Sequence, residues 1–183
     1  KNDCTTALGS LAAGDRLMMS YRFEGQNCQS LKKGTASAES VTISFWVNAT
    51  KTGTYVLEMW DHTNGRHICS LYTVSVTNTW EYKTITFAGD TLATTWAATS
   101  NANRAVGQVN AADSTSNNFS LAGVQMEVGV TATPFEYKSL AQELQDCERY
   151  YQTYGMGFHA FGISTTVIDS QFSFRTMMRA SPS

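Results

Sequence analysis

Residues 123–151, GVQMEVGVTATPFEYKSLAQELQDCERYY, change their hydrophobic period part-way along. Val124, Met126 and Val128 alternate with Gln125 and Glu127, the period-2 pattern of a half-buried strand. Pro134 then forbids ladder pairing at its position. From Ser139 the period lengthens: Leu140, Leu144, Cys147 and Tyr151 fall on one helical stripe, and Ser139 and Gln142 have capping-box spacing. A chain carrying this stretch must close a sheet and open a helix in quick succession. The residues before it therefore have to be read as sheet, and those after it as an appendage.

The preceding residues fit that demand. Residues 41–48 (VTISFWVN) place Ile43, Phe45 and Val47 on one face and Thr42, Ser44 and Trp46 on the other. Residues 54–60 (TYVLEMW), 67–76 (HICSLYTVSV) and 80–87 (WEYKTITF) repeat the pattern. Asn64-Gly65 between the first two of these is the strongest hairpin signal in the chain. Four strands at roughly ten-residue spacing indicate a β-sandwich. An earlier strand is expected over residues 16–23 (RLMMSYRF), where Leu17, Met19 and Tyr21 alternate with Met18, Ser20 and Arg22. Residues 88–120 read as one long loop with a short strand over 104–109, a loop length that is uncommon in compact domains. After the helix, residues 156–164 and 170–178 read as a terminal hairpin joined by 165–169.

The fold class is mostly β. Residues 1–130 form a jelly-roll β-sandwich, 131–152 a linker and the one C-terminal helix, and 153–183 a terminal β-hairpin. The helix stripe is expected to pack on its own sandwich, leaving contacts between copies to the segment after it. A chain of 183 residues that begins at Lys1 is expected to be a piece of something longer.

Charged residues make up only 15 % and the net charge is −2, so no basic face suggests nucleic acid. No apolar run approaches the ~18 residues of a membrane span. The four cysteines, Cys4, Cys28, Cys69 and Cys147, have no CxxC or Cys/His spacing, which argues against zinc; free thiols are expected, although an even count permits disulfides.

No arrangement in the sequence points to catalysis. There is no G-x-S-x-G elbow, and His62, His67 and His159 are scattered. Glu58, Asp61 and Glu81 lie on strands, but surface carboxylates of a sheet explain them better than a glycosidase pair. Sugar binding asks for an exposed aromatic ring with Asn, Asp, Gln or Arg beside it. Trp60, Asp61, Asn64 and Arg66 offer that set on a hairpin tip, and Trp96, Asn101, Asn103 and Arg104 offer a second. The competing reading buries both rings, since aromatic side chains usually pack. Trp46 and Trp80 are expected in the core.

SFWV followed by TWEYKTITF, with the closing LAGVQMEVG, resembles carbohydrate-binding-module jelly rolls. The longer stretch VQMEVGVTATPFEYKSLAQELQDCERYY, with NANRAVGQVN and GDRLMMSYRFEGQN, resembles the C-terminal regions of tail-fibre and other virion proteins of tailed phages, especially marine ones. The resemblance covers about residues 3–152. It implies a non-enzymatic virion protein: the adhesion domain of a tail fibre or appendage binding host-surface glycan, or else a purely structural component such as a capsid decoration or head fibre. It also implies a homotrimer, contacts with other virion proteins, and a place on the particle surface after assembly in the host cytoplasm. No cofactor is expected. Jelly rolls of this kind often hold a structural calcium, for which Asp15, Glu24, Asp113 and Glu127 are the candidates. The family pattern carries a further strand and loop where Asp90 here runs straight into Thr91, so a stretch of that pattern is expected to be absent at this junction.

Overall fold

In a computed structural model of the protein, the structure describes residues 1–12, 15–100, 104–152, 161–162, 168–169 and 175–180. The chain divides into two units, Lys1–Phe135 and Glu136–Ser183. The first is built of strands in two antiparallel sheets. One contains β1 (Asn2–Asp3), β2 (Val41–Ala49), β5 (Glu81–Phe87) and β7 (Asn118–Val128), in the order β1-β7-β2-β5. The other contains β3 (Gly53–Asp61), β4 (Arg66–Val74) and β6 (Ala97–Ala98), in the order β3-β4-β6. The four strands expected between residues 41 and 87 are therefore all present.

The two sheets share one apolar core. β2 lies between β7 and β5 and buries Val41, Ile43, Phe45, Val47 and Ala49. Ile85 and Phe87 join from β5, and Tyr55 and Val74 from the second sheet. Phe45 meets the Tyr72 ring edge-on at 5.2 Å, and Tyr55 meets Phe119 at 5.3 Å, so aromatic pairs bridge the layers. Each fully buried side chain of this size contributes roughly 1.5–3 kcal/mol. Thr42 and Ser44, on the opposite face of β2, are buried too. The Thr42 hydroxyl is satisfied there: it lies 2.9 Å from that of Thr86 and donates to the Gly129 carbonyl at 2.8 Å.

That outer face is covered because the chain doubles back after β7. Ser44 pairs with Gln125 but Trp46 pairs with Ala122, so Gly123 and Val124 together oppose Phe45. Gly123 has φ +54°, the left-handed conformation such a bulge requires. The bulge reverses the parity of the strand. Phe119 and Leu121 before it and Met126 after it all pack on the core, whereas simple alternation groups Val124 with Met126, and Val124 is exposed. Gln125 and Glu127 face outward and hold the returning chain: Glu127 accepts from the Thr133 amide at 3.0 Å and hydroxyl at 2.5 Å, and Gln125 donates to the Thr133 hydroxyl at 3.2 Å. A Cβ on Gly123 would touch both Trp46 and Phe135, which shows how closely the return lies on the strand.

Several expectations are corrected. Residues 16–23 form no strand; Leu17, Met18, Met19, Tyr21 and Phe23 are exposed, and no strand among the described residues pairs with them. The N-terminal strand is instead the short β1, paired with Asn118 and Phe119. Residues 104–109 are irregular, tied to β3 by the Val109 amide donating to Thr54 O at 2.8 Å. Trp46 and Trp80 are not core. Trp46 is 44 % exposed on the outer face against Tyr82, and Trp80 is exposed just before β5. Apart from these corrections, the chain at Asp90–Thr91 makes a tight turn in which the Thr91 amide donates to Gly89 O at 3.0 Å. Gly89 is required there, since a Cβ would overlap the carbonyl oxygens of Ala38 and Glu39.

The second unit begins with α1 (Leu140–Glu148), where Ser139 caps the helix by accepting the Gln142 amide at 3.3 Å. The reciprocal half of a capping box is not made, because the Gln142 side chain donates to Asp146 instead. Leu140, Leu144, Cys147 and Tyr151 are exposed. Gln152 gathers residues 175–178 by donating to Thr176 O at 2.9 Å and accepting the Arg175 amide at 3.1 Å. β8 (Phe161–Gly162) pairs antiparallel with β9 (Ile168–Asp169). The second strand of this pair sits in the stretch expected to be the turn. Residues 175–178 are not strand; residues 156–160, 163–167 and 170–174 lie outside the described residues. No helix among the described residues is long and apolar enough to cross a membrane.

Candidate functional site

The β3–β4 hairpin ends in a four-residue loop between Asp61 and Arg66, with Gly65 at φ +58°. Asp61 shapes the loop by accepting from the Asn64 amide at 3.0 Å and from its side chain at 2.8 Å. Trp60, the last outward-facing ring of β3, is 49 % exposed. It is nevertheless fixed. Its indole N–H donates to the Thr99 hydroxyl at 3.1 Å, and its ring lies 4.8 Å from that of His62. The Thr99 amide in turn donates to Gly65 O at 2.7 Å. A ring exposed on one side and anchored on the other can stack on a flat apolar ligand face without first losing rotamer freedom.

Beneath the tip lies an ion cluster. Asp90 is 1 % exposed and accepts from Arg66 through two bonds, Nε at 2.8 Å and Nη2 at 3.0 Å. It also accepts the Trp96 amide at 2.9 Å and pairs with Lys33 at 3.0 Å. Lys33 bridges onward to Asp61 at 2.8 Å and sits 4.9 Å over the Trp96 ring. Arg66 donates further to the Trp96 carbonyl. The Arg66 hydrogen bonds hold the Asp90 carboxyl well below the usual range despite its burial. Partial burial pushes Asp61 up, but the bonds from Asn64 and Lys33 outweigh it and bring it down to about 2.

This cluster corrects the second candidate set. Trp96 is 6 % exposed, roofed by Lys33, with its indole N–H donated to Ala88 O at 2.9 Å, so it offers no stacking face. Arg66 is committed to Asp90 and Asp61 to Lys33 and Asn64. Both position the tip. Asn101 and Asn103 lie outside the described residues. Arg104 is held on Glu58, its Nε 3.1 Å from Oε2. Glu58 Oε1 is also 3.1 Å from Nδ1 of His67, which is only 1 % exposed. Between β4 and the loop over it is a hollow of about 290 Å³ lined by His67, Cys69, Thr95, Ala97, Arg104 and Ala105. His67 pairs across the ladder with Trp60, so hollow and ring adjoin on one face of the sheet.

The remaining candidates are locally engaged. Asp15 accepts the Ala12 amide, Glu24 the Gln26 side chain, Asp113 pairs with Lys51 and Glu127 holds Thr133. Among the described residues no three His, Cys, Asp or Glu side chains come together to hold a metal. Glu81 lies in the other sheet from Glu58 and Asp61, paired with Lys83 and bonded to the Ser75 and Val76 amides. All four cysteines are thiols, and burial pushes Cys28 and Cys69 up.

Sequence reasoning missed Lys33, Asp90, Thr99 and His62. Lys33 is far from both Asp90 and Trp96 in sequence, and no local spacing marks it or singles out Asp90, six residues before Trp96. His62 stands two residues after the ring it touches, a same-face strand spacing that is readable in principle. No protein-family profile, curated protein or solved structure matches this chain.

Proposed function

We propose that this chain is a non-enzymatic virion protein of a tailed phage, the adhesion domain of a tail fibre or related appendage, folded as a jelly-roll sandwich and assembled as a homotrimer exposed on the particle. Its ligand is a host-surface glycan. The observation that carries the reading is Trp60: a half-exposed indole at a hairpin tip, held by Thr99 and His62, with the side chain of Asn64 on the same tip. Stacking supplies the apolar contact, and the tip amide and the adjoining polar hollow supply hydrogen-bond partners for hydroxyls. A single shallow site of this kind binds weakly. Three copies on one fibre raise the avidity through effective concentration.

The test is a glycan array probed with the intact chain and with Trp60→Ala. Binding by the native chain that falls at least tenfold in the variant, measured well below the thermal midpoint of both so that both are folded, supports the adhesin. Silence of the native chain on every host-surface preparation removes it. A second reading, a structural virion component without glycan affinity, is favoured by a separate observation: the apolar side chains exposed over residues 17–23. Such a surface suits assembly rather than sugar.

A further inference from the structure

Two unfinished parts of this chain fit each other. Residues 17–23 alternate strictly: Leu17, Met19, Tyr21 and Phe23 on one side, and Met18, Ser20 and Arg22 on the other. Their backbone makes no hydrogen bond, and their large side chains are exposed, Tyr21 at 77 %. That is a strand in pattern without a partner. The second part is β4. It pairs with β3 along its whole length, but on its other edge only Arg66 and His67 are paired, with β6. Among the described residues, 68–74 bond through their backbone to β3 alone, and the loop at Ala105 meets this stretch only at the Cys69 thiol. Exposed edges in soluble proteins are usually blunted by charge, proline or a bulge. This edge, ICSLYTV, carries none of these, whereas β5, at the end of the other sheet, carries Glu81 and Lys83.

We infer that residues 17–23 of one copy of this chain add as a strand to the β4 edge, residues 68–74, of another copy. The lengths match at seven residues each. The faces match as well. Ile68, Tyr72 and Val74 face the core, so Leu17, Met19, Tyr21 and Phe23 would extend the apolar layer beyond them. Cys69, Leu71 and Thr73 face outward and would continue into Met18, Ser20 and Arg22. A second copy is favoured over the same chain because Leu17 borders β1 and Phe119, in the other sheet from β4. Donor and acceptor are different surfaces, so each copy gives one strand and takes one. The contact closes as a reciprocal pair or a small ring. This inference does not depend on glycan binding.

The test is sedimentation equilibrium of the full chain with two variants. The native chain should form multiples of its 20.1 kDa mass. Met19→Pro removes a donor and the extended fit from the giving strand, and Leu71→Lys places a charge on the receiving edge. Each should weaken association about 100-fold. Because Met19 is unpaired in the isolated chain, Met19→Pro should leave the thermal midpoint at low concentration unchanged. Mixing the two variants should restore association through the one junction left intact. A native chain that stays monomeric overturns the inference. So does association insensitive to both substitutions, or a lowered midpoint in dilute Met19→Pro, which would mean pairing within one chain.

Discussion

β2 and residues 16–23 carry the same kind of message and meet opposite fates. Both alternate, and both are rich in residues that suit a pleated surface. β2 is hydrogen-bonded on both sides, to β5 and to β7, and its apolar face is the centre of the core. Residues 17–23 make no backbone bond and expose their apolar face to solvent. Alternation thus states what a segment is able to do in a sheet, and a partner elsewhere in the chain decides whether it does.

The largest expected contrast is between one ring from each region. Phe45→Ala removes a ring packed edge-on against Tyr72 and should cost about 3–5 kcal/mol in urea unfolding. Tyr21→Ala, measured in dilute monomer, should stay within about 0.5 kcal/mol. If Tyr21→Ala costs as much as Phe45→Ala, residues 17–23 are packed within one chain and the comparison fails.

Asp90 marks where the polar architecture takes over from the apolar. It binds Arg66 at the start of β4, the Trp96 amide in the loop, and Lys33 from the connection leading to β2. Asp90→Ala leaves two cations facing each other without their carboxylate and should cost about 3 kcal/mol. Trp96 fluorescence should shift red as Lys33 leaves its ring. An unmoved spectrum and unmoved stability would show that the loop is held by its backbone alone.

This part of the fold was the least legible in advance. The strands from β2 to β5 were readable because their period is local and Asn64-Gly65 marks the hairpin. The α1 N-terminus was readable because the Ser139–Gln142 bond spans three residues. Three other features depend on distant residues. Trp96 is buried because Lys33 and Asp90 meet over it. Trp46 is on the outer face by the alternation of β2 itself, but what meets it there, Gly123 of the bulge, comes from a distant strand. Residues 16–23 lack a strand paired with them, which no window of their own sequence reveals. Of the candidate site, Trp60 and Asn64 were placed by local hairpin logic, whereas Arg66 and Arg104 took structural partners, Asp90 and Glu58, that no local spacing foretold.

Acid should loosen the hairpin tip before the apolar core. Asp61 titrates at about 2 in the folded chain and near 3.9 when unfolded, so folding favours its ionised form. Its stabilisation is complete above about pH 4 and is lost as pH falls from there toward about 2, an amount of roughly 2 kcal/mol. Asp61→Asn should flatten that part of the pH profile without changing the slope due to other groups. A profile equally steep in the variant would assign the acid sensitivity elsewhere, with Asp90 the next carboxylate to examine.

The two exposed rings, Trp60 and Tyr21, differ most finely. Like Tyr21, Trp60 is a large exposed ring. Unlike Tyr21 it stands on a paired strand and gives its N–H to Thr99. Trp60→Ala should therefore cost about 1 kcal/mol, the worth of one hydrogen bond and a half-covered ring. Thr99→Val keeps the indole whole and removes only the acceptor of its N–H. If anchoring is what suits Trp60 to a ligand, the valine variant should bind glycan more weakly than native while folding as well as native. If bare exposure were enough, Thr99→Val would bind as the native chain does, and the distinction between an exposed ring that is fixed and one that is free would carry no functional weight.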